Sequence, residues 1–69
     1  MPHSRPMSII GPRCHELRVV DGSNTWRILY HLPGEAIVIL HIFAKKSQKT
    51  PQRIIELCRR RLRMFVDAT

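Results

Sequence analysis

Two arginines, Arg18 and Arg27, occupy positions that a predicted β-hairpin would place face to face. Residues 13–20 and 25–32 each alternate between two faces as strands do, and the turn-forming sequence Asp-Gly-Ser-Asn separates them. If those four residues form the loop, the two stretches pair from the loop outwards, and counting back sets Arg18 opposite Arg27. Like charges directly opposite each other destabilise a sheet. We therefore expect a bound anion to compensate this pair.

A third cation joins them at the end of the next predicted strand, residues 36–44. That strand can be registered in two ways, but Lys45 and Lys46 have opposite parity, so one of them shares the face of Arg18 and Arg27 in either register. Such a cluster suits phosphate recognition. It also suits phosphodiester cleavage, in which cations stabilise the negative charge that develops in the transition state. The alternative is that the arginines extend into solvent and contact backbone or acidic groups.

Three further side chains could supply a general acid or base beside these cations. Glu16 and His31 lie on the predicted cationic face, and His41 lies there in one of the two registers. A structural role is the alternative for each of them. Cys14 is predicted to face His31, but two ligands without a third or fourth do not make a metal site. We predict neither a metal nor a cofactor.

The elements that must position these residues form a small α+β fold. Residues 1–12 contain three prolines and a glycine without regular periodicity, which predicts an extended arm. The run 36–44 is apolar on both faces, as in a central strand covered on both sides. The pair Thr50-Pro51 has the residue types of an N-cap and a first helical position, and an apolar stripe continues to about Val66. One domain over residues 13–69 is thus predicted, a three-stranded antiparallel meander followed by a C-terminal helix.

One face of this predicted sheet lacks cover, and a chain of 69 residues is marginal without help, since it buries only about 60% of its unfolded surface. We expect dimerisation or strand exchange through one of two alternative apolar sets: Ile37, Ile39 and Phe43, or Val38, Leu40 and Ile42. The aromatic residues are predicted to belong to the core rather than to stack on bases; they are Trp26, Tyr30, Phe43 and Phe65.

The charge balance points to a polyanionic or acidic partner. Twelve Lys and Arg against five acidic residues give a formal net charge of +7. Lys49, Arg53 and Arg60 are the predicted nucleic-acid contacts, and the arginines of the helix could equally dock an acidic protein segment. Cys14 and Cys58 lack metal-type spacing and are predicted to be reduced cytosolic thiols. The sequence has no run of the roughly 18 apolar residues that a membrane span needs, so we expect a cytoplasmic protein without a membrane partner.

Three segments carry a resemblance to a known family: His-Glu-Leu-Arg-Val at 15–19, Trp-Arg-Ile-Leu-Tyr at 26–30, and above all Ile-Leu-His-Ile-Phe-Ala-Lys-Lys-Ser-Gln-Lys-Thr-Pro at 39–51. Together they resemble the RelE/HigB/ParE superfamily of toxins from type II toxin-antitoxin modules. The last segment is similar to the F-x-K-K-T-Q-K-T-P string of the phage-derived, HigB-like branch. The similarity extends from Pro12 to Val66.

This resemblance implies a small antiparallel sheet flanked by helices, and a metal-independent, ribosome-dependent mRNA endonuclease that is inhibited by an acidic antitoxin. The implied reaction is attack of the ribose 2′-hydroxyl on the adjacent phosphate. The cations that correspond to the basic residues of the family are Arg18, Arg27 and either Lys45 or Lys46, the set that the register argument selects. The implied partners are mRNA, the ribosome and the antitoxin.

The sequence also departs from the family pattern. Relatives carry a strand and one or two helices before the first strand here, so this chain resembles a RelE-like core lacking its N-terminal helices. Many relatives use a tyrosine or histidine near the C-terminus, where this chain has Phe65. Two alternative functions therefore stay open: a ParE-like protein that inhibits gyrase, and a truncated, non-catalytic basic interaction module. A homodimer and an antitoxin complex are both compatible with the sequence.

Overall fold

The structure, a computed structural model, describes residues 3–44 and 49–68. Four strands form one antiparallel sheet in the order β1-β2-β3-β4, and one helix follows. Their bounds are β1 His3–Pro6, β2 Cys14–Asp21, β3 Asn24–His31, β4 Val38–Ala44 and α1 Gln52–Ala68. The predicted α+β class, with an antiparallel meander and a C-terminal helix, is confirmed, and the sheet has one strand more than predicted.

The predicted hairpin of β2 and β3 is confirmed in its register. Arg18 pairs with Arg27, Glu16 with Leu29, and Cys14 with His31. Asp21 also pairs with Asn24, so only Gly22 and Ser23 remain outside the ladder. Gly22 has a φ of 62°, the left-handed conformation that two-residue hairpin turns require at their first central position.

The segment predicted as an extended arm contributes both a strand and part of the core. β1 pairs with β2 at the edge of the sheet, and Pro6 occupies its last position, where a missing N–H donor is tolerated. The Met7 amide extends this pairing by donating to the carbonyl of Cys14 at 2.8 Å, and the chain then turns back, with the Ile10 amide donating to the carbonyl of Met7 at 3.0 Å. Met7 and Ile10 are both buried. The sequence does not indicate this strand, because its four residues show no apolar alternation and end in a proline.

β4 differs from its prediction in its place in the sheet and in which of its residues share a face. It lies at the edge of the described sheet rather than at its centre. Its register with β3 shifts between Leu29 and Tyr30, which pair with His41 and Ile39, so that Leu40 forms a β-bulge. The bulge sends Leu40 into the core and leaves isoleucines exposed on both sides of it. Neither predicted apolar set is therefore the exposed one, which consists of Ile37, Ile39 and Ile42.

Helix α1 covers one side of the sheet. Its buried residues are Ile55, Cys58 and Leu62, which join the core with residues of β2, β3, β4 and the first turn: Met7, Ile10, Cys14, Leu29 and Leu40. No helix in the described part of the chain is long and apolar enough to cross a membrane. The opposite side of the sheet has no layer over it among the described residues. Trp26 lies there and is 38% exposed, so its predicted core position is wrong.

Candidate functional site

A buried carboxylate, that of Glu16, joins four parts of the chain. Its side chain is 1% exposed. Its Oε1 atom accepts hydrogen bonds from Arg5 Nε at 3.1 Å and Arg27 Nη1 at 3.2 Å, and its Oε2 atom accepts one from Thr50 Oγ1 at 3.1 Å. These contacts tie β1, β2, β3 and the segment that leads into α1 to one side chain. We call these four residues the Glu16 network.

The Glu16 network supplies a counter-charge to one of the two opposed arginines, a contact that the register argument did not predict. Arg27 has its negative partner within the chain, because it forms an ion pair with Glu16. The Arg27 side chain is 11% exposed, and its Nε atom is buried without a hydrogen bond to any described residue. Removing one partner of a buried ion pair strongly destabilises a protein, because the other charge is left buried and unpaired. Glu16 thus fixes the position of Arg27 by an ion pair, and it has the structural role that was one of its two predicted alternatives.

Arg18 differs from Arg27 although the two are cross-strand partners. It is exposed, and it forms neither a hydrogen bond nor an ion pair with a described residue. It lies on the same side of the sheet as Arg27, because directly paired residues of an antiparallel sheet share a side. An exposed arginine beside a fixed, partly neutralised one can bind an incoming anion.

The remaining predicted cations lie at or after the corner between β4 and α1. Lys45 and Lys46 lie outside the described residues. Lys49 is exposed and directly precedes Thr50, whose hydroxyl contacts Glu16. Arg53 and Arg60 are exposed on α1, and their spacing of seven residues places them about 20° apart around the helix axis. Lys49 is thus next to the Glu16 network in the chain, and the two arginines lie along the outer side of α1.

Thr50 was predicted as an N-cap, but its hydroxyl donates to Glu16 instead of accepting from the helix. The carbonyl of Pro51 accepts the first helical hydrogen bonds, from the amides of Ile54 and Ile55 at 3.0 and 3.2 Å. A buried carboxylate in need of donors outcompetes the solvated backbone amides of the first turn, because an unpaired buried charge costs more.

Two arginines of α1 donate hydrogen bonds to backbone carbonyls of neighbouring segments. Arg59 Nε donates to the carbonyl of Ile9 at 2.7 Å, and Arg61 Nη1 donates to the carbonyl of Leu40 at 2.6 Å. The second contact satisfies a carbonyl at the bulge of β4. Arg59 also lines, with Glu56, Arg60 and Arg63, a surface cavity of about 410 Å³. The helix therefore has fewer arginines without a contact to neighbouring backbone than the sequence predicted.

His31, Cys14 and Cys58 are buried and belong to the packed interior. His31 is buried, with its Nδ1 atom 3.7 Å from Cys14 Sγ and its ring 6.1 Å from that of Phe65. Burial raises the pKa of Cys14, and it raises the pKa of Cys58 to about 11, so both free thiols are poor nucleophiles. No group of three possible metal ligands occurs among the described residues.

His41 shares the side of Arg27, since the observed register pairs it with Leu29. Its ring stacks on Phe43 with centroids 5.7 Å apart, and its Nδ1 atom lies 3.2 Å from Arg61 Nη1. Burial and, second, the charge of Arg61 lower the pKa of His41. An arginine can only donate, so this contact favours a neutral ring with its proton on Nε2.

Sequence reasoning missed Arg5 and Arg61, and it assigned Thr50 a different partner. Arg5 lies in the proline-rich segment that showed no strand periodicity. Arg61 lies on the flank of α1 between the buried and the solvent sides, where the apolar stripe gives no signal. The available clue was the unpaired acidic residue in β2, because a buried Glu16 needs donors from other elements.

Comparison with known proteins identifies one family. The family model described as "Phage derived protein Gp49-like (DUF891)" matches residues 1–63. No curated protein and no solved structure matches the chain.

Proposed function

The chain belongs to the phage-derived Gp49-like family, which is associated with RelE/HigB-like toxins, and on this premise we propose that it is the toxin of a type II toxin-antitoxin module. Its proposed activity is metal-independent, ribosome-dependent cleavage of mRNA. The observation that carries this proposal is the pair of Arg18 and Arg27, in which one arginine is exposed and the other is fixed by a buried carboxylate.

The proposed chemistry needs cations more than it needs a strong base. The ribose 2′-oxygen attacks the adjacent phosphorus and gives up its proton to water, while the bond to the 5′-oxygen breaks and that oxygen takes a proton. Negative charge grows on the phosphate oxygens during this step, and preorganised cations stabilise it without further rearrangement. Arg18 would bind the phosphate directly, and Arg27 would orient it from a fixed position. Lys45 or Lys46 would complete the cluster.

The proposed inhibitor is an acidic antitoxin. The exposed cations Lys49, Arg53 and Arg60 follow the corner along α1, and the chain carries a formal net charge of +7. An acidic segment laid along this side would neutralise the cations that the substrate needs. Arg53 and Arg60 would contact either this segment or the RNA backbone.

The test is induced expression of the wild-type chain, Arg18→Ala and Arg63→Ala, with growth and transcript ends measured together. Arg18 is chosen because replacing Arg27 would also break a buried ion pair. We expect the wild type and Arg63→Ala, a control that removes one exposed arginine from α1, to arrest growth and to cut translated transcripts. Arg18→Ala should lose most of both effects while keeping the helical circular dichroism signal.

Equal growth arrest by all three chains would contradict the role assigned to Arg18. Arrest with intact transcripts and an induced DNA-damage response would instead indicate gyrase inhibition. A second candidate function is a non-catalytic basic interaction module, and the pairing of Arg27 with Glu16 favours it, because that pairing withdraws one cation from the site. Absence of arrest, with binding to an acidic partner retained, would support this candidate.

A further inference from the structure

The side of the sheet away from α1, which we call the open face, is apolar. It presents Leu17, Trp26, Ile28, Tyr30, Ile39 and Ile42 from β2, β3 and β4. Ile39 is 52% exposed and Ile42 is 53% exposed. Monomeric soluble proteins rarely leave a contiguous apolar surface of this kind uncovered.

The charged residues of the strands lie almost entirely on the side of α1. Arg5 pairs with Glu16, and Arg18 with Arg27, so every arginine of the four strands lies on the side of α1. Among the described strand residues, the open face contains no lysine or arginine, and its one acidic residue, Asp21, lies at the end of the hairpin. In a chain with a net charge of +7, a face without lysine or arginine indicates a partner surface that is not anionic.

The hydroxyl of Tyr30, on the open face, is already satisfied within the chain. The hydroxyl of Tyr30 lies 2.7 Å from Ser4 Oγ, and its ring stacks on His15 with centroids 5.4 Å apart. Covering Tyr30 would therefore not leave its hydroxyl without a partner, which would otherwise cost about 1–3 kcal/mol.

From these observations we infer that the open face is covered by the open face of a second copy of this chain. A nucleic acid or an acidic segment would find no cation there to bind. A second copy presents the same apolar surface, whose one acidic residue among the described strands lies at the end of the hairpin. Packed sheets lie about 10 Å apart, and the arginines of each copy extend away from the interface, so their separation exceeds the Debye length of about 8 Å at physiological salt.

The size of the open face sets the expected strength of the dimer. Four strands spaced ~4.8 Å apart, with a length of up to eight residues at ~3.4 Å each, cover on the order of 500 Å² per copy. Two copies then bury on the order of 1,000 Å², which is near the lower limit of specific interfaces. The dimer should therefore dissociate on dilution.

Trp26 reports on this association without any substitution, because it is the sole tryptophan and lies on the open face. We expect its emission to shift to shorter wavelength as the concentration of the wild-type chain rises, and sedimentation to show a monomer–dimer equilibrium over the same range. A chain that sediments as a monomer, with Trp26 emission independent of concentration, would overturn the inference.

Two matched variants locate the interface. Ile39→Asp places a charge on the open face, and Met64→Asp places one on the outer side of α1, where Met64 is 68% exposed. We expect Ile39→Asp to raise the dissociation constant at least tenfold and Met64→Asp to leave it unchanged. An equal effect of both would contradict the assignment. If Ile39→Asp does not fold, Ile42→Ser serves the same comparison. These readouts do not depend on toxin activity, so they can fail while the proposed function holds.

Discussion

The two sides of the sheet are built from alternate residues of the same strands, yet they are held in different ways. On the side of α1, a buried carboxylate collects three donors, and the helix closes over an apolar core. On the open face, apolar side chains lie exposed without a charged neighbour from the strands, apart from Asp21 at the hairpin end. Among the described residues α1 is the sole helix and closes one side of the sheet, and we propose that a second copy of the chain closes the other.

The first way to break this comparison is to remove the charge at the centre of the covered side. Glu16→Gln should lower the free energy of unfolding by about 3 kcal/mol, because it leaves Arg27 buried without a counter-charge. Asp21→Asn is the matched control, since it makes the same chemical change on the same strand at an exposed position. Urea unfolding measures both. Similar small losses would mean that the Glu16 network does not stabilise the fold.

The double variant with Glu16→Gln and Arg27→Gln sharpens this result. Removing both charges of a buried pair costs much less than removing one, because no buried charge is left alone. We expect the double variant to be more stable than Glu16→Gln. A loss equal to the sum of the two single losses would show that the residues act independently.

The contrast between the hairpin and the Glu16 network shows which parts of the fold the sequence could predict. The register of β2 and β3 was predictable, because it depends on alternation and on a turn of adjacent residues. Thr50 lies 34 residues from Glu16, so nothing local links them. That contact exists only once α1 has packed on the sheet.

The bulge at Leu40 and the strand β1 escaped prediction for related reasons. Residues 36–40 are all apolar, so the pattern gives no parity from which an extra residue could be detected. The four residues of β1 show no apolar alternation that would mark a strand, and the last of them is a proline. The predicted register set Arg18 opposite Arg27 correctly and placed Glu16 on their side of the sheet, but it gave no indication that α1 would bury that side.

A smaller effect concerns the contact of Arg61 with His41 at the edge of the covered side. The pKa of His41 is lowered in the folded chain, so the unfolded chain binds more protons as the pH falls below about 6.5. The contribution of His41 to stability is therefore present above that pH and is lost on acidification. We expect thermal unfolding of His41→Gln to depend less on pH between about 7 and 5 than that of wild type.

His15→Gln is the control for this experiment, because His15 lies on the open face. If His15→Gln removed the pH dependence and His41→Gln kept it, the effect would come from the open face, which would contradict this prediction.

The division of labour between the two sides is tested most directly by RNA binding. The affinity of a fluorescent single-stranded RNA is measured over a range of salt concentrations for wild type, Arg18→Ala and Ile42→Ser. Arg18→Ala should weaken binding and reduce the salt slope by about 0.7, the loss of one phosphate contact, whereas Ile42→Ser should match the wild type. Unchanged binding by Arg18→Ala, or loss of binding by Ile42→Ser, would contradict the account.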